Sequence, residues 1–221
     1  FITCSISILL GSKHYSAGQI FANLTMLHDY LGFEDIDGVY WTLQVELKFY
    51  GCIFILLLAG LFRYFSAWLS VWLFLTVLYL LTEQPFFMGF FINPNQSCFF
   101  IAGVAFYLIH QEGLGKFNTF ILLSSLALST IQGFKQASDF MINPDLTSKM
   151  VAVLIIWFCY LLFYLLVTER IKLPNKKIYV LLGGLTYPLY LIHNVAGKTI
   201  INHFKNFAPE WLIIIIVTLL M

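Results

Sequence analysis

Residues 150–168, MVAVLIIWFCYLLFYLLVT, decide the fold class, because this run of 19 residues holds no charged side chain. An α-helix rises about 1.5 Å per residue, and the hydrocarbon core of a bilayer is about 30 Å thick, so roughly 20 apolar residues are needed to cross it. The run has the required length and composition. It therefore predicts a transmembrane helix.

The composition of the whole chain agrees with a membrane protein. Of 221 residues, 60% are hydrophobic, 18% are aromatic and 10% are charged, whereas a soluble domain carries about 25% charged residues. The net charge is +1 and no basic run is interleaved with aromatic residues, so we expect no nucleic-acid partner. The four cysteines lie dozens of residues apart, which predicts packing residues and no metal site.

Further apolar runs follow one another along the chain. Full-length spans are predicted at residues 39–62, 66–82, 117–133, 150–168 and 178–201. A shorter span lies at 97–110, extendable upstream into 85–95, and partial helices lie at 1–10 and 211–221. These eight segments, two of them cut at the chain ends, predict an all-α, polytopic transmembrane bundle. We expect residues 1–221 to be a fragment of one transmembrane domain.

The connections between the spans give a topology. Most are short, which predicts antiparallel neighbours, whereas residues 11–38 and 134–149 are predicted to be longer polar loops. The densest cationic loop, residues 169–177, is expected in the cytoplasm by the positive-inside rule, in a multi-pass protein of the plasma membrane. Alternatively, this loop binds the phosphates of a cytosolic, nucleotide-containing donor. Its cations are Arg170, Lys172, Lys176 and Lys177.

Glu46 is an ionisable residue inside a predicted span, about 10 Å below the outer surface at 1.5 Å per residue. Such a residue is a candidate functional group because burying it in hydrocarbon is costly. Thr42, Glu46 and Tyr50 share one helical face, and Trp41 lies above it as an interfacial anchor or a cavity wall. The alternative for Glu46 is a structural carboxylate that ties helices together.

His193 is the second such residue, about 12 Å below the outer surface. It is therefore predicted at nearly the depth of Glu46, with Tyr190 on the same helical face. Pro188 is expected to kink and break this helix, because proline removes a backbone donor. Together these features predict a site inside the membrane. The alternative for His193 is a core histidine that donates to a backbone carbonyl.

Two sequence motifs carry a family resemblance. Residues 41–50, WTLQVELKFY, resemble the W-[ST]-L-x-[VA]-E-x-x-F-Y signature of the acyltransferase-3 family of membrane-bound O-acyltransferases. Residues 182–193, LGGLTYPLYLIH, are similar to the late-helix pattern L-G-x-x-[ST]-Y-x-x-Y-L-x-H of the same family. The motifs stand in the expected order with four apolar spans between them.

The resemblance implies a fold of about ten helices and an activity. Such enzymes move an acyl group, often acetyl from acetyl-CoA, to a hydroxyl of a carbohydrate or similar acceptor at the outer face. Acyl-CoA would be the donor substrate, with no permanently bound cofactor. In that picture Glu46 and His193 line the reaction chamber. Its expected walls and acceptor contacts are Trp41, Tyr50, Tyr190 and Asp37, although Asp35 and Asp37 fit a solvated loop as well.

The chain also departs from the family pattern. The proposed base of the family is a histidine on the first membrane helix, preceded by an arginine, and an R-x-x-R pair follows; neither is found here. Arg63 and Arg170 are the only arginines. We therefore expect the fragment to be inactive alone. Two alternatives remain, a proton-coupled transporter that uses Glu46 and His193, and a catalytically silent membrane sensor.

Overall fold

The computed structural model describes residues 14–83, 88–140, 145–172, 174, 176–204, 209 and 212–213. All regular structure within these ranges is helical. The partial helix predicted at 1–10 lies outside the described residues, as does the one at 211–221 except for residues 212–213.

The described elements follow the order of the predicted spans. They are α1 (Ala17–Leu24), a 3-10 turn (Asp29–Leu31), α2 (Tyr40–Leu58), α3 (Phe65–Thr82), α4 (Met88–Phe91), α5 (Pro94–Glu112), α6 (Lys116–Phe140), α7 (Leu146–Val167) and α8 (Lys177–Phe204). Four helices are long and apolar enough to cross a membrane by length and composition: α2, α3, α6 as far as Ala137, and α7. The prediction of an all-helical membrane bundle is confirmed.

One predicted loop is wrong. Residues 134–149 were expected to form a long polar connection, but α6 continues to Phe140 and α7 begins at Leu146. Polar side chains of α6 bond to protein: Gln132 Nε2 donates to Asn95 Oδ1 and Gln136 Nε2 donates to Asn95 O, each at 3.4 Å. The polarity that suggested a loop therefore belongs to a helix face that packs on α5.

The predicted helix break at Pro188 is also wrong. Helix α8 runs without interruption from Lys177 to Phe204, with Pro188 in its interior. Thr186 Oγ1 donates to Gly183 O at 2.7 Å, next to Gly184, whose carbonyl loses its helical donor because Pro188 has no N–H. A proline inside an apolar sequence therefore did not end this helix.

The chain divides into two compact units. The first contains residues 1–47 and 174–221, and the second contains residues 48–173. The core of the second unit is formed by α3, α5, α6 and α7, with Leu69, Ile101 and Ile121 fully buried. Polar groups there bond to one another, as Tyr160 Oη does with Ser129 Oγ at 2.8 Å. Such bonds and close small-residue packing are what hold helices together in lipid.

Lys48 supports the short helix α4 in the second unit. Lys48 Nζ donates to Gly89 O at 3.3 Å, and Cys52 Sγ, one turn further along α2, donates to Phe91 O at 3.3 Å. A four-residue helix leaves its carbonyls without helical partners, and lipid offers no donors. The sequence showed Lys48 inside a span but did not indicate this partner.

Asp145 caps α7 and gives a pH-dependent prediction. Its Oδ1 accepts a hydrogen bond from Ser148 N at 2.9 Å, and hydrogen bonds from Ser148 hold the pKa of Asp145 below its usual value. A carboxyl with a lowered folded-state pKa stabilises at pH above its unfolded pKa and loses that contribution as the pH falls through the folded pKa. We expect amide protection in the first turn of α7 to fall in acid.

Hydrogen exchange, corrected for intrinsic rates, would measure that protection from pH 6 down to pH 2. Asp145→Asn is the matched control, because asparagine also caps helices but does not titrate. The pH-dependent loss should be absent from this variant. Identical pH profiles for the two proteins would contradict the capping role.

Candidate functional site

The junction between the start of α2 and the middle of α8 lies within the first unit and joins the two motifs. Asp37 is 1% exposed. Its Oδ1 accepts a hydrogen bond from Asn194 Nδ2 at 2.7 Å and another from Val39 N at 3.3 Å. One carboxylate therefore caps the start of α2 and binds α8, across 157 residues of sequence.

A second hydrogen bond follows one turn further along α2. The hydroxyls of Thr42 and Tyr190 lie 2.9 Å apart. Thr42 Oγ1 also donates to Val39 O at 2.9 Å, and a hydroxyl has one proton to donate. Tyr190 Oη is therefore the donor to Thr42 Oγ1. Both motifs contribute a side chain to this bond.

The two bonds fix the register of the helices. Residue 37 pairs with 194 and residue 42 pairs with 190, so α2 and α8 are antiparallel here. Glu46 lies four residues beyond Thr42, and position 193 lies three residues from Tyr190 in the opposite direction. Seven residues correspond to about 10 Å along the axes. The register places Glu46 and position 193 on opposite sides of the Thr42–Tyr190 bond, and their depth in a membrane stays a prediction.

The predicted site residues differ in how they are placed. Glu46 is half-buried and forms no hydrogen bond or ion pair with the rest of the described chain. Trp41 is 36% exposed and Tyr190 38%. Tyr50 is 60% exposed and belongs to the second unit. The side chain of His193 lies outside what the structure describes, so the catalytic roles of Glu46 and His193 and the wall roles of Trp41 and Tyr50 stay predictions.

The segment before Asp37 is held by buried polar side chains. Asn23, which is 0% exposed, donates from Nδ2 to Glu34 O at 3.0 Å and accepts from Ile36 N at 3.0 Å. Tyr15 Oη donates to Ile36 O at 3.3 Å. These bonds fix the backbone that leads into Asp37. The solvated-loop alternative is therefore wrong for Asp37.

A histidine that the sequence analysis did not single out lies beside this segment. His28 is 0% exposed, and its Nε2 lies 2.5 Å from Asp35 Oδ1. Burial raises the pKa of Asp35, and the coulombic attraction of His28 opposes that rise. This pair joins the turn after α1 to the segment that carries Asp37. No spacing rule in the sequence links His28 to Asp35.

The cationic residues of loop 169–177 are distributed over both units. In the second unit, Lys172 Nζ lies 3.5 Å from Glu169 Oε2, both side chains being well exposed, and the Arg170 guanidinium lies 5.9 Å from the Tyr164 ring centroid. Lys176 and Lys177 are exposed in the first unit. An exposed ion pair contributes little to stability. The phosphate-binding role of these four residues stays a prediction.

The described part of the chain shows no group of three or more His, Cys, Asp or Glu side chains that could hold a metal ion. The junction contains a buried carboxylate (Asp37), a half-buried carboxylate (Glu46) and the hydroxyls of Thr42 and Tyr190 on adjacent helices. Such groups can orient an alcohol and accept its proton, which are the tasks of general acid–base chemistry.

Removing the tyrosine hydroxyl should weaken this junction. Tyr190→Phe deletes the donor to Thr42 Oγ1, and a hydrogen bond between membrane helices contributes about 0.6–2 kcal/mol. We expect thermal unfolding in detergent at a lower temperature than in the wild-type protein. Tyr179→Phe, an exposed tyrosine on the same helix, is the matched control and should change little. Equal unfolding temperatures for wild type and Tyr190→Phe would contradict the bond.

Comparison with known proteins gives one match. The acyltransferase-3 family, described as an acyltransferase domain, matches residues 1–221. The comparisons with curated proteins and with solved structures gave no match.

Proposed function

This chain belongs to the acyltransferase-3 family, and from that premise we propose that it is an integral O-acyltransferase of the plasma membrane. It moves an acetyl group from acetyl-CoA to a hydroxyl of a carbohydrate or similar acceptor at the outer face. The coarser statement, a membrane acyltransferase, follows from the family and from the four apolar helices. The donor, the acceptor, the particular membrane and the side of action are the proposal.

The observation that carries the proposal is a pair of hydrogen bonds, one between the two motifs and one between residues that flank them. Asp37 with Asn194 and Thr42 with Tyr190 hold the helix of Glu46 against the helix of His193. Residues that are distant in sequence thus form one polar junction within an apolar bundle. Polar groups are rare and costly in a membrane, so their concentration at one place favours a site for chemistry.

The reaction assigns a task to each group. The acceptor hydroxyl loses its proton to a base as its oxygen attacks the thioester carbonyl, and the C–S bond then breaks to release CoA as its thiol. Glu46 orients the acceptor or the base, and His193 with Tyr190 supplies polarity around the carbonyl, where negative charge develops. Asp37, which is buried, acts on the acceptor through the placement of Asn194 and the start of α2.

In this proposal the acyl donor approaches from the cytoplasmic face of the membrane. Acyl-CoA carries phosphates, and the cations of loop 169–177 can pair with them. In this proposal the thioester enters from the cytoplasm and meets an external acceptor in the membrane. The rival transporter function depended on a discontinuous helix at Pro188, and α8 is continuous there.

The test is acyl transfer by the full-length protein in lipid nanodiscs. Acetyl-CoA carrying a radiolabelled acetyl group would be supplied with a panel of glycans, and both released CoA thiol and labelled glycan would be measured. The proposal predicts equal amounts of the two products with at least one glycan. Proton-coupled uptake of a solute into vesicles, without consumption of acetyl-CoA, would contradict it and favour a transporter.

A further inference from the structure

A large apolar groove lies in the second unit. Its volume is about 720 Å³, within the range of small-molecule sites, about 300–1,000 Å³. It is bounded by α2, α3 and α4, and its lining includes Phe49, Leu56, Tyr64, Trp68, Trp72 and Phe91. The first motif contributes Phe49 to this lining, but the proposed reaction does not use the groove.

The mouth of the groove carries a positive charge. Arg63 follows α2, and its guanidinium lies 4.8 Å from the ring centroid of Tyr64, which lines the groove. Trp68 Nε1 donates to Phe62 O at 3.3 Å, and the Phe62 and Trp68 ring centroids lie 6.0 Å apart, so the residue before Arg63 is also part of an aromatic contact. Among the described residues no carboxylate forms an ion pair with Arg63. An arginine within an aromatic cluster at a helix end is typical of the membrane–water interface.

We propose that this groove binds an anionic glycerophospholipid, with an acyl chain along the apolar lining and the headgroup phosphate at Arg63. Arginine pairs with phosphate through two parallel hydrogen bonds, and basic pockets between membrane helices bind anionic headgroups. A zwitterionic lipid would fill the groove equally well, but the cation in its own headgroup already neutralises its phosphate, so an anionic lipid compensates the charge of Arg63 more fully.

Quenching of tryptophan fluorescence by brominated acyl chains tests this directly. Trp41, Trp157 and Trp211 would be replaced by phenylalanine, leaving Trp68 and Trp72, which both line the groove. The protein would be placed in zwitterionic nanodiscs with increasing amounts of brominated phosphatidylglycerol or brominated phosphatidylcholine. Half-maximal quenching should need about fivefold less of the anionic lipid, the ratio expected from one basic side chain near the surface.

Two variants distinguish the contact of the headgroup with Arg63 from the contact of the acyl chain with the apolar lining. Arg63→Gln should remove the preference for phosphatidylglycerol, and Ala67→Phe, which adds a ring to the groove lining, should reduce quenching by both lipids. Arg170→Gln is the matched control, because Arg170 also lies near a tyrosine ring but not at this groove. It should leave the preference intact.

Three results would overturn the proposal. Equal quenching of the wild-type reporter by both lipids would indicate ordinary annular lipid. Loss of the preference in Arg170→Gln to the same extent as in Arg63→Gln would indicate a general effect of surface charge. Absence of quenching by either lipid would show that protein fills the groove.

Discussion

Acyl transfer should fall about 100-fold or more when Glu46 is replaced by glutamine, because general acid–base groups contribute about 10²–10⁴ to turnover. Glutamine keeps the size of the side chain and its capacity to form hydrogen bonds but removes the charge. Membrane insertion should be unchanged, since a neutral side chain is easier to bury in lipid than a carboxylate. The measurement is the rate of labelled acetyl transfer to the acceptor identified in the nanodisc assay.

Two comparisons make this prediction specific. Glu112→Gln changes an exposed glutamate at the end of α5 and should leave the rate unaltered. His193→Ala should lower the rate to a similar extent as Glu46→Gln, as the family resemblance implies. Wild-type rates from both Glu46→Gln and His193→Ala would remove these residues from the site and leave only the membrane assignment.

The second large effect is expected from Asn194→Asp. Asn194 Nδ2 now donates to Asp37 Oδ1 at 2.7 Å, and Asp37 is 1% exposed. The substitution replaces that donor with a second carboxylate. Two carboxylates at this distance cannot both stay ionised without strong repulsion. A buried acceptor left without its donor costs about 1–3 kcal/mol, and more when it is charged. We expect a large fall in thermal stability, with loss of acyl transfer.

Gly38 provides a steric check on the same contact. A Cβ atom at this position would lie 3.3 Å from Asn194 Nδ2, so the glycine allows the backbone before α2 to approach α8. The close approach explains how a short aspartate and a short asparagine can meet at all.

The sequence predicted the helices better than the contacts between them. Runs such as residues 150–168 needed only a count of apolar residues to be recognised, and α7 confirms that run. Residues 134–140 were assigned to a loop because their polarity was taken to mean exposure to water, whereas Gln136 bonds to α5. Polarity indicates that a side chain needs a partner but does not identify that partner as water or protein.

The residue types of the site could be predicted from the sequence, but the contacts between them could not. The motifs indicated Glu46, His193 and Tyr190 as residue types suited to acyl transfer. The side chains that join the helices of the two motifs include Thr42 and Asn194, which are small polar residues of a kind found throughout membrane helices. Their importance depends on the register between α2 and α8, which no pattern within either helix contains.

The contacts that support the segment before Asp37 could not be predicted from sequence patterns either. The contact between His28 and Asp35 depends on how the chain between α1 and α2 turns, and residues 25–35 contain no repeat from which that turn follows. Burial of His28 was equally hidden, because a histidine beside aspartates in a polar segment is most often exposed. Its contact with Asp35 makes His28 part of the framework of the site.

If the helices of the two motifs form one site through their hydrogen bonds, the site should tolerate an exchange of the partners Asp37 and Asn194. Acyl transfer would be measured for Asn194→Asp alone and for Asn194→Asp combined with Asp37→Asn, which restores one amide and one carboxylate with their positions exchanged. The single variant should be inactive, and the double variant should recover a substantial part of the wild-type rate. A double variant no more active and no more stable than Asn194→Asp would contradict the contact and the site built on it.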